Sequence, residues 1–151
     1  RDLLGRMGEV LFWKIAMKPG RPMAFGRVQS NGRSAHFFGL PGNPVAVMVT
    51  FYAFVREALL TLAGRAGDLA PPLVQVPCLS ALKKNPGRTE FQRGIVARDE
   101  RGALGVRLTG QQGSGILRSM SEANCLIVLE HERGSVKPGD PVSVLLFEGL
   151  A

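Results

Sequence analysis

Gly39-Leu40-Pro41-Gly42-Asn43-Pro44, running directly into the apolar stretch 45–55 (VAVMVTFYAFV), decides how this 151-residue sequence folds. Asn43 is a good N-cap, because its side-chain oxygen can accept from the first unpaired helical amides. Pro44 suits the first helical position, and Gly64 supplies a stop. The helix so predicted, 44–63, carries only Arg56 and Glu57 as charges. A helix apolar on nearly every face has to be buried on more than one side. Three strands and one helix cannot cover it alone, so the first 70 residues are read as part of a larger α/β layer.

Working outward, the run 10–17 (VLFWKIAM) reads as one strand stopped by Pro19-Gly20. Segments 22–29 and 35–40 read as a hairpin around Ser30-Asn31-Gly32. On the other side of the helix, Ala70-Pro71-Pro72 is a stiff linker. Beyond it come five short strand candidates, 73–79, 91–98, 104–109, 125–129 and 142–147. They are separated by turns such as Asn85-Pro86-Gly87 and Pro138-Gly139. One helical turn fits 115–121. The fold class expected is α/β plus all-β: a partial α/β domain over 1–71 and a small β-barrel-like or sandwich domain over 72–151.

The net charge of +7 is concentrated near the amino terminus, where residues 1–40 carry seven Lys/Arg against Asp2 and Glu9. Such a field attracts an anionic small molecule, a nucleic-acid backbone or an acidic partner, and does not choose among them. The apolar run 45–55 is shorter than the about 20 residues a bilayer crossing needs. With no signal-like start, a cytoplasmic location and no membrane partner are expected. Cys78 and Cys125 are far apart with no CxxC spacing, which indicates core residues rather than a zinc site or a disulfide framework.

Four segments could carry chemistry. The loop 39–44 has the strand-loop-helix form that presents backbone N–H groups to an anion, although its two prolines remove two donors; by motif alone an ordinary capped helix start accounts for it better. Lys14 and Lys18, on one strand face about 13 Å apart, could clamp an extended polyanion, or Lys18 sits at the strand end, where α/β folds place ligands, if Pro19 breaks the strand at Met17; they could also be the lysines that protect a solvated sheet edge. Arg93 shares a strand face with Phe91 and Ile95, opposite Gln92. Burying it unpaired is costly, so it faces a groove or a ligand, or pairs with Glu90 or another carboxylate. The polar loop 109–115 (TGQQGSG) can bring backbone and the Ser114 hydroxyl to a ligand, or be only a turn. His36 and His131 lack any partner at metal-ligand spacing, and no metal site is assigned to this chain.

Taken together, 12–22 (FWKIAMKPGRP), 39–45 (GLPGNPV), 86–94 (PGRTEFQRG), 110–114 (GQQGS) and 124–129 (NCLIVL) closely resemble the molybdopterin molybdenumtransferase family, MoeA in bacteria and the E domain of gephyrin in animals. The resemblance implies that residues up to about 71 are the second half of a molybdopterin-binding α/β domain, followed by the family's carboxyl-terminal β domain. It implies insertion of molybdate into adenylylated molybdopterin, with release of AMP, magnesium as cofactor and a homodimer. By position, Lys14, Lys18, Arg93 and Ser114 match active-site residues, and Pro41, Gly42, Asn43 and Pro44 match the segment lining the molybdate pocket. It also implies that the pterin-binding loop and most magnesium ligands lie upstream, so that this chain alone has no turnover. The residues leave two other classes open: a basic nucleic-acid-binding module, against which speaks the absence of aromatics interleaved with basic residues, and a protein-scaffold surface.

Overall fold

The structure, a computed structural model, describes residues 8–110, 112 and 117–148. The run 10–17 forms two strands rather than one, β1 (Gly8–Lys14) and β2 (Met17–Lys18). β1 pairs antiparallel with β3 (Pro22–Ser30) as far as Lys14↔Pro22, where the proline has no N–H to extend the ladder. The chain turns there: Ile15 N donates to Arg21 O at 2.8 Å and Met17 N to Ile15 O at 2.9 Å. β2 is thereby delivered to a different sheet. β3 continues into β4 (Arg33–Gly39) through Asn31 and Gly32, both left-handed at φ 50° and 72°, the pair of conformations a two-residue hairpin turn needs.

Helix α1 runs from Pro44 to Leu62. Asn43 caps it as expected, its Oδ1 accepting from Val45 N at 3.1 Å and Ala46 N at 3.4 Å. Asn43→Ala is expected to destabilise the protein by about 1 kcal/mol, read as a shift in the urea midpoint; a change below about 0.3 kcal/mol would mean the cap is dispensable. The middle turn, Phe51–Val55, is a π-helical widening that the sequence pattern does not reveal. Tyr52 on that turn stacks on Phe147 at 6.4 Å.

The expectation that α1 is buried on more than one side is not met by the described residues. Val45, Ala46, Val49, Thr50 and Val55 are buried, whereas Phe54, Leu59 and Leu62 are exposed. At 19 residues the helix is longer than the run 45–55 and, by length and composition, matches a membrane span. Core helices pass the same test. Its first half packs Val45 and Val49 against Met17, Leu126 and Leu145 of the second sheet.

That second sheet contains β5 (Leu73–Pro77), β6 (Thr89–Arg98), β7 (Leu104–Leu108), β8 (Cys125–Leu129) and β9 (Pro141–Leu146), with α2 (Leu117–Glu122) between β7 and β8. The order is β2-β6-β8-β9-β5, with β7 also on β6. β8, apolar at every position, is covered on both faces. Cys125, Ile127 and Leu129 join an inner cluster with Val76, Val106, Val142 and Val144, and Leu126 faces α1. One isolated bridge, Cys78↔Val106, links the two ends of the sheet. The sheet is therefore rolled around its core, and among the described residues no continuous ladder closes the barrel-like form expected from the strand spacing.

The cysteines sit in that core. Both are free and buried, and burial pushes the Cys125 thiol up to about 11. His36 and His131 are exposed.

Candidate functional site

The site begins with a gap in one edge of β6. β8 occupies the other edge along 90–94. On the site edge, β2 pairs parallel with Thr89 and Glu90, and β7 pairs antiparallel from Gly94 onward. Between these partners, among the described residues, no strand pairs with residues 91–93 on that edge. A hollow of about 700 Å³ opens here, lined by Phe91, Gln92 and Arg93, by Lys18 at the end of β2 with Pro19 and Gly20 after it, and by Pro41, Gly42, Asn43 and Ala46 at the start of α1. The period-two pattern places Gln92 opposite Arg93, yet both line the hollow, because it wraps around the strand where its partner is missing.

Lys18 reaches the hollow from the strand break. The register Lys18↔Glu90 sets its ammonium 3.9 Å from Glu90 Oε2. Glu90 is itself buried and accepts from Arg88 Nε at 2.9 Å and Gln92 Nε2 at 3.4 Å. The carboxylate considered for Arg93 thus pairs with Arg88 and Lys18.

Arg93 is 1% exposed. Its Nε donates to Ser119 Oγ of α2 at 3.0 Å. Burial lowers its pKa from the ordinary value, and arginine keeps its charge in proteins nonetheless. The Gln112 side chain replaces the missing strand: Oε1 accepts from Arg93 N at 2.8 Å and Nε2 donates to Arg93 O at 3.1 Å. Arg93 O also accepts from Thr109 N at 3.1 Å and Thr109 Oγ1 at 3.2 Å, so Arg93 is held at its backbone by Gln112 and Thr109 and at its guanidinium by Ser119.

The helix entrance contributes differently from expectation. Val45 N and Ala46 N are occupied by Asn43 Oδ1, Val47 N donates to Asn43 O at 2.9 Å, and Pro44 has no N–H. The first-turn donors are spent inside the cap, so the entrance supplies a rigid wall and the positive end of the helix dipole rather than free amides. Pro44 lines no part of the hollow.

Lys14 does not share a strand face with Lys18. It lines an adjoining hollow of about 750 Å³ with Trp13, Phe37, Gly39 and Leu40. Pro22, Pro41 and Gly42 border both hollows. Ser114 lies outside the described residues. Sequence reasoning missed Gln92, Gln112 and Ser119 as parts of the site, and saw Glu90 only as a counter-charge. Gln112 carried a faint signal, as a polar residue in a Gly-rich loop. Ser119 carried none.

A magnesium site is not formed by these residues. Among the described residues no group of three or more His, Cys, Asp or Glu is placed to hold a metal, and Glu90 is committed to Arg88 and Lys18.

Comparison with known proteins gives a consistent answer. Residues 1–61 match the model of a probable molybdopterin binding domain, and residues 75–147 match that of the MoeA C-terminal region, domain IV. A molybdopterin molybdenumtransferase of Haemophilus influenzae is 43% identical over 99% of this chain, and a gephyrin of Dictyostelium discoideum 32% identical over 97%. The chain spans only 36% and 23% of those two relatives. Among solved structures, a molybdenum cofactor biosynthesis protein from Pyrococcus furiosus superposes with a TM-score of 0.70 at 31% identity, covering 93% of this chain and 46% of that one. The MoeA protein of Pyrococcus horikoshii gives 0.71 at 26% identity, covering 93% and 33%. A chain whose two matched regions follow one another in this order, and whose fold superposes on MoeA proteins along nearly its whole length, belongs to the molybdopterin molybdenumtransferase family.

Proposed function

We propose that this chain forms one wall of the active site of a molybdenum-insertion enzyme, which transfers molybdate into adenylylated molybdopterin and releases AMP. The observation that supports this most directly is the convergence of Lys18, Arg93 and the proline-framed helix entrance on one hollow. Both substrates are anionic. A wall that offers a buried arginine, an adjacent lysine and the positive end of a helix stabilises an oxyanion and a departing phosphate without having to reorganise. Lys18 and Arg93 bind and orient the oxyanion; Lys14 in the adjoining hollow meets the phosphate-bearing substrate. Ser114 belongs to the same proposal through the resemblance. So do magnesium dependence, with ligands supplied by other parts of the whole protein, a homodimer and a cytoplasmic location.

In a full-length protein, Lys18→Ala and Lys14→Ala are each expected to lower AMP release by about 10- to 1,000-fold, as loss of one group stabilising a developing charge does. AMP is quantified after mixing the enzyme with adenylylated molybdopterin and molybdate. Wild-type rates in both variants would remove the lysines from the reaction.

A further inference from the structure

The hollow suits negative ligands, yet one of its walls contains a carboxylate. Glu90 is 3% exposed. Its partners differ in kind. Arg88 Nε donates to Oε1 at 2.9 Å, an ordinary charge-assisted hydrogen bond. Lys18 Nζ is 3.9 Å from Oε2, beyond hydrogen-bonding distance, and the Lys18 side chain is 58% exposed where that of Glu90 is 4%. Oε1 is thus anchored by Arg88, whereas Oε2, which accepts from Gln92 Nε2 at 3.4 Å, faces an exposed lysine that makes no hydrogen bond to it. The parallel register Lys18↔Glu90 sets the pair side by side at the edge of the gap.

We infer that Glu90 is a positioning residue: its buried carboxylate, fixed by Arg88, keeps the Lys18 ammonium at the mouth of the hollow until an entering oxyanion takes the ammonium over. The inference rests on the reading of the hollow as an oxyanion site. It has a consequence that a merely structural role lacks. Glu90 repels the same ligand that Lys18 attracts, and competes with it for the ammonium. Removing its charge while keeping its shape should therefore tighten anion binding and at the same time slow the reaction, because Lys18 is no longer held in place.

The test is Glu90→Gln in the full-length protein, with molybdate and sulfate as the binding probes and AMP release as turnover. The Kd for molybdate is expected to fall about threefold to tenfold, and kcat to fall about tenfold. In a Lys18→Gln background, Glu90→Gln should change turnover less than twofold, roughly, because the two residues act as one unit. Glu90→Asp keeps the charge and shortens the reach, so it should leave molybdate affinity near wild type and lower turnover; it decides the matter if the Gln variant does not fold. Unchanged or weaker molybdate binding in a folded Glu90→Gln protein, or full turnover in Glu90→Asp, would overturn the positioning role. A wild-type protein that binds molybdate without releasing AMP would overturn the proposed reaction instead, and the affinity changes would still judge Glu90.

Discussion

Arg93→Ala in the full-length protein is expected to reduce AMP release by about 100- to 1,000-fold, and to cost about 2–4 kcal/mol of stability as well. Two effects combine. The guanidinium is the buried cation of the hollow, where a fixed charge acts more strongly than at the surface. Removing a side chain that is 1% exposed also leaves a void and strips Ser119 Oγ of the Nε donor 3.0 Å away. Arg93→Lys should not restore activity, because a lysine has no Nε–H to give Ser119 and no planar fork. Turnover and the urea midpoint of the two variants check this, and Arg93→Ala turnover within threefold or so of wild type would exclude Arg93 from the chemistry.

The second large effect is expected at Gly20, which follows Lys18 and Pro19 in the wall of the hollow. Its φ of +105° is a conformation that a side chain rarely adopts. A Cβ there would stand 2.5 Å from Thr50 Oγ1 and 3.2 Å from Met17 Cε. Thr50 is fully buried in α1 and cannot withdraw. Left-handed strain of about 1–2 kcal/mol and overpacking of about 1–3 kcal/mol together predict a loss of about 2–5 kcal/mol for Gly20→Ala. Adding Thr50→Ala removes the obstructing hydroxyl, which has no hydrogen-bond partner among the described residues, and should recover the steric part but not the strain. Denaturant unfolding of the single and double variants separates the two contributions. A loss below about 0.5 kcal/mol in the single variant would mean that the segment shifts freely and that its path past α1 is not fixed.

What could be read from the sequence was local. The capped start of α1 at Asn43-Pro44, the hairpin turn at Ser30-Asn31-Gly32 and the short strand 125–129 each depend on a few neighbouring residues whose own chemistry selects one conformation. Five family-like segments in order carried the identity further than any of them did singly. The extent of α1 was legible; its π-helical turn and its exposed face were not.

The site was settled by tertiary structure. Lys14 and Lys18 look like one strand face until the ladder ends at Pro22 and sends the second lysine to another sheet. Which carboxylate meets which cation depends on the β2–β6 register, so Glu90 takes Lys18 and Arg88. Gln112 finds the backbone of Arg93, 19 residues away, where the β7 ladder ends and Thr109 makes the last bond to Arg93 O. The sequence alone determined most of the elements and the cap of α1, because a backbone conformation answers to the side chains beside it. The hollow and the pairing of its charges were decided by which strands met and where each ladder ended, a balance of long-range contacts that no local window contains.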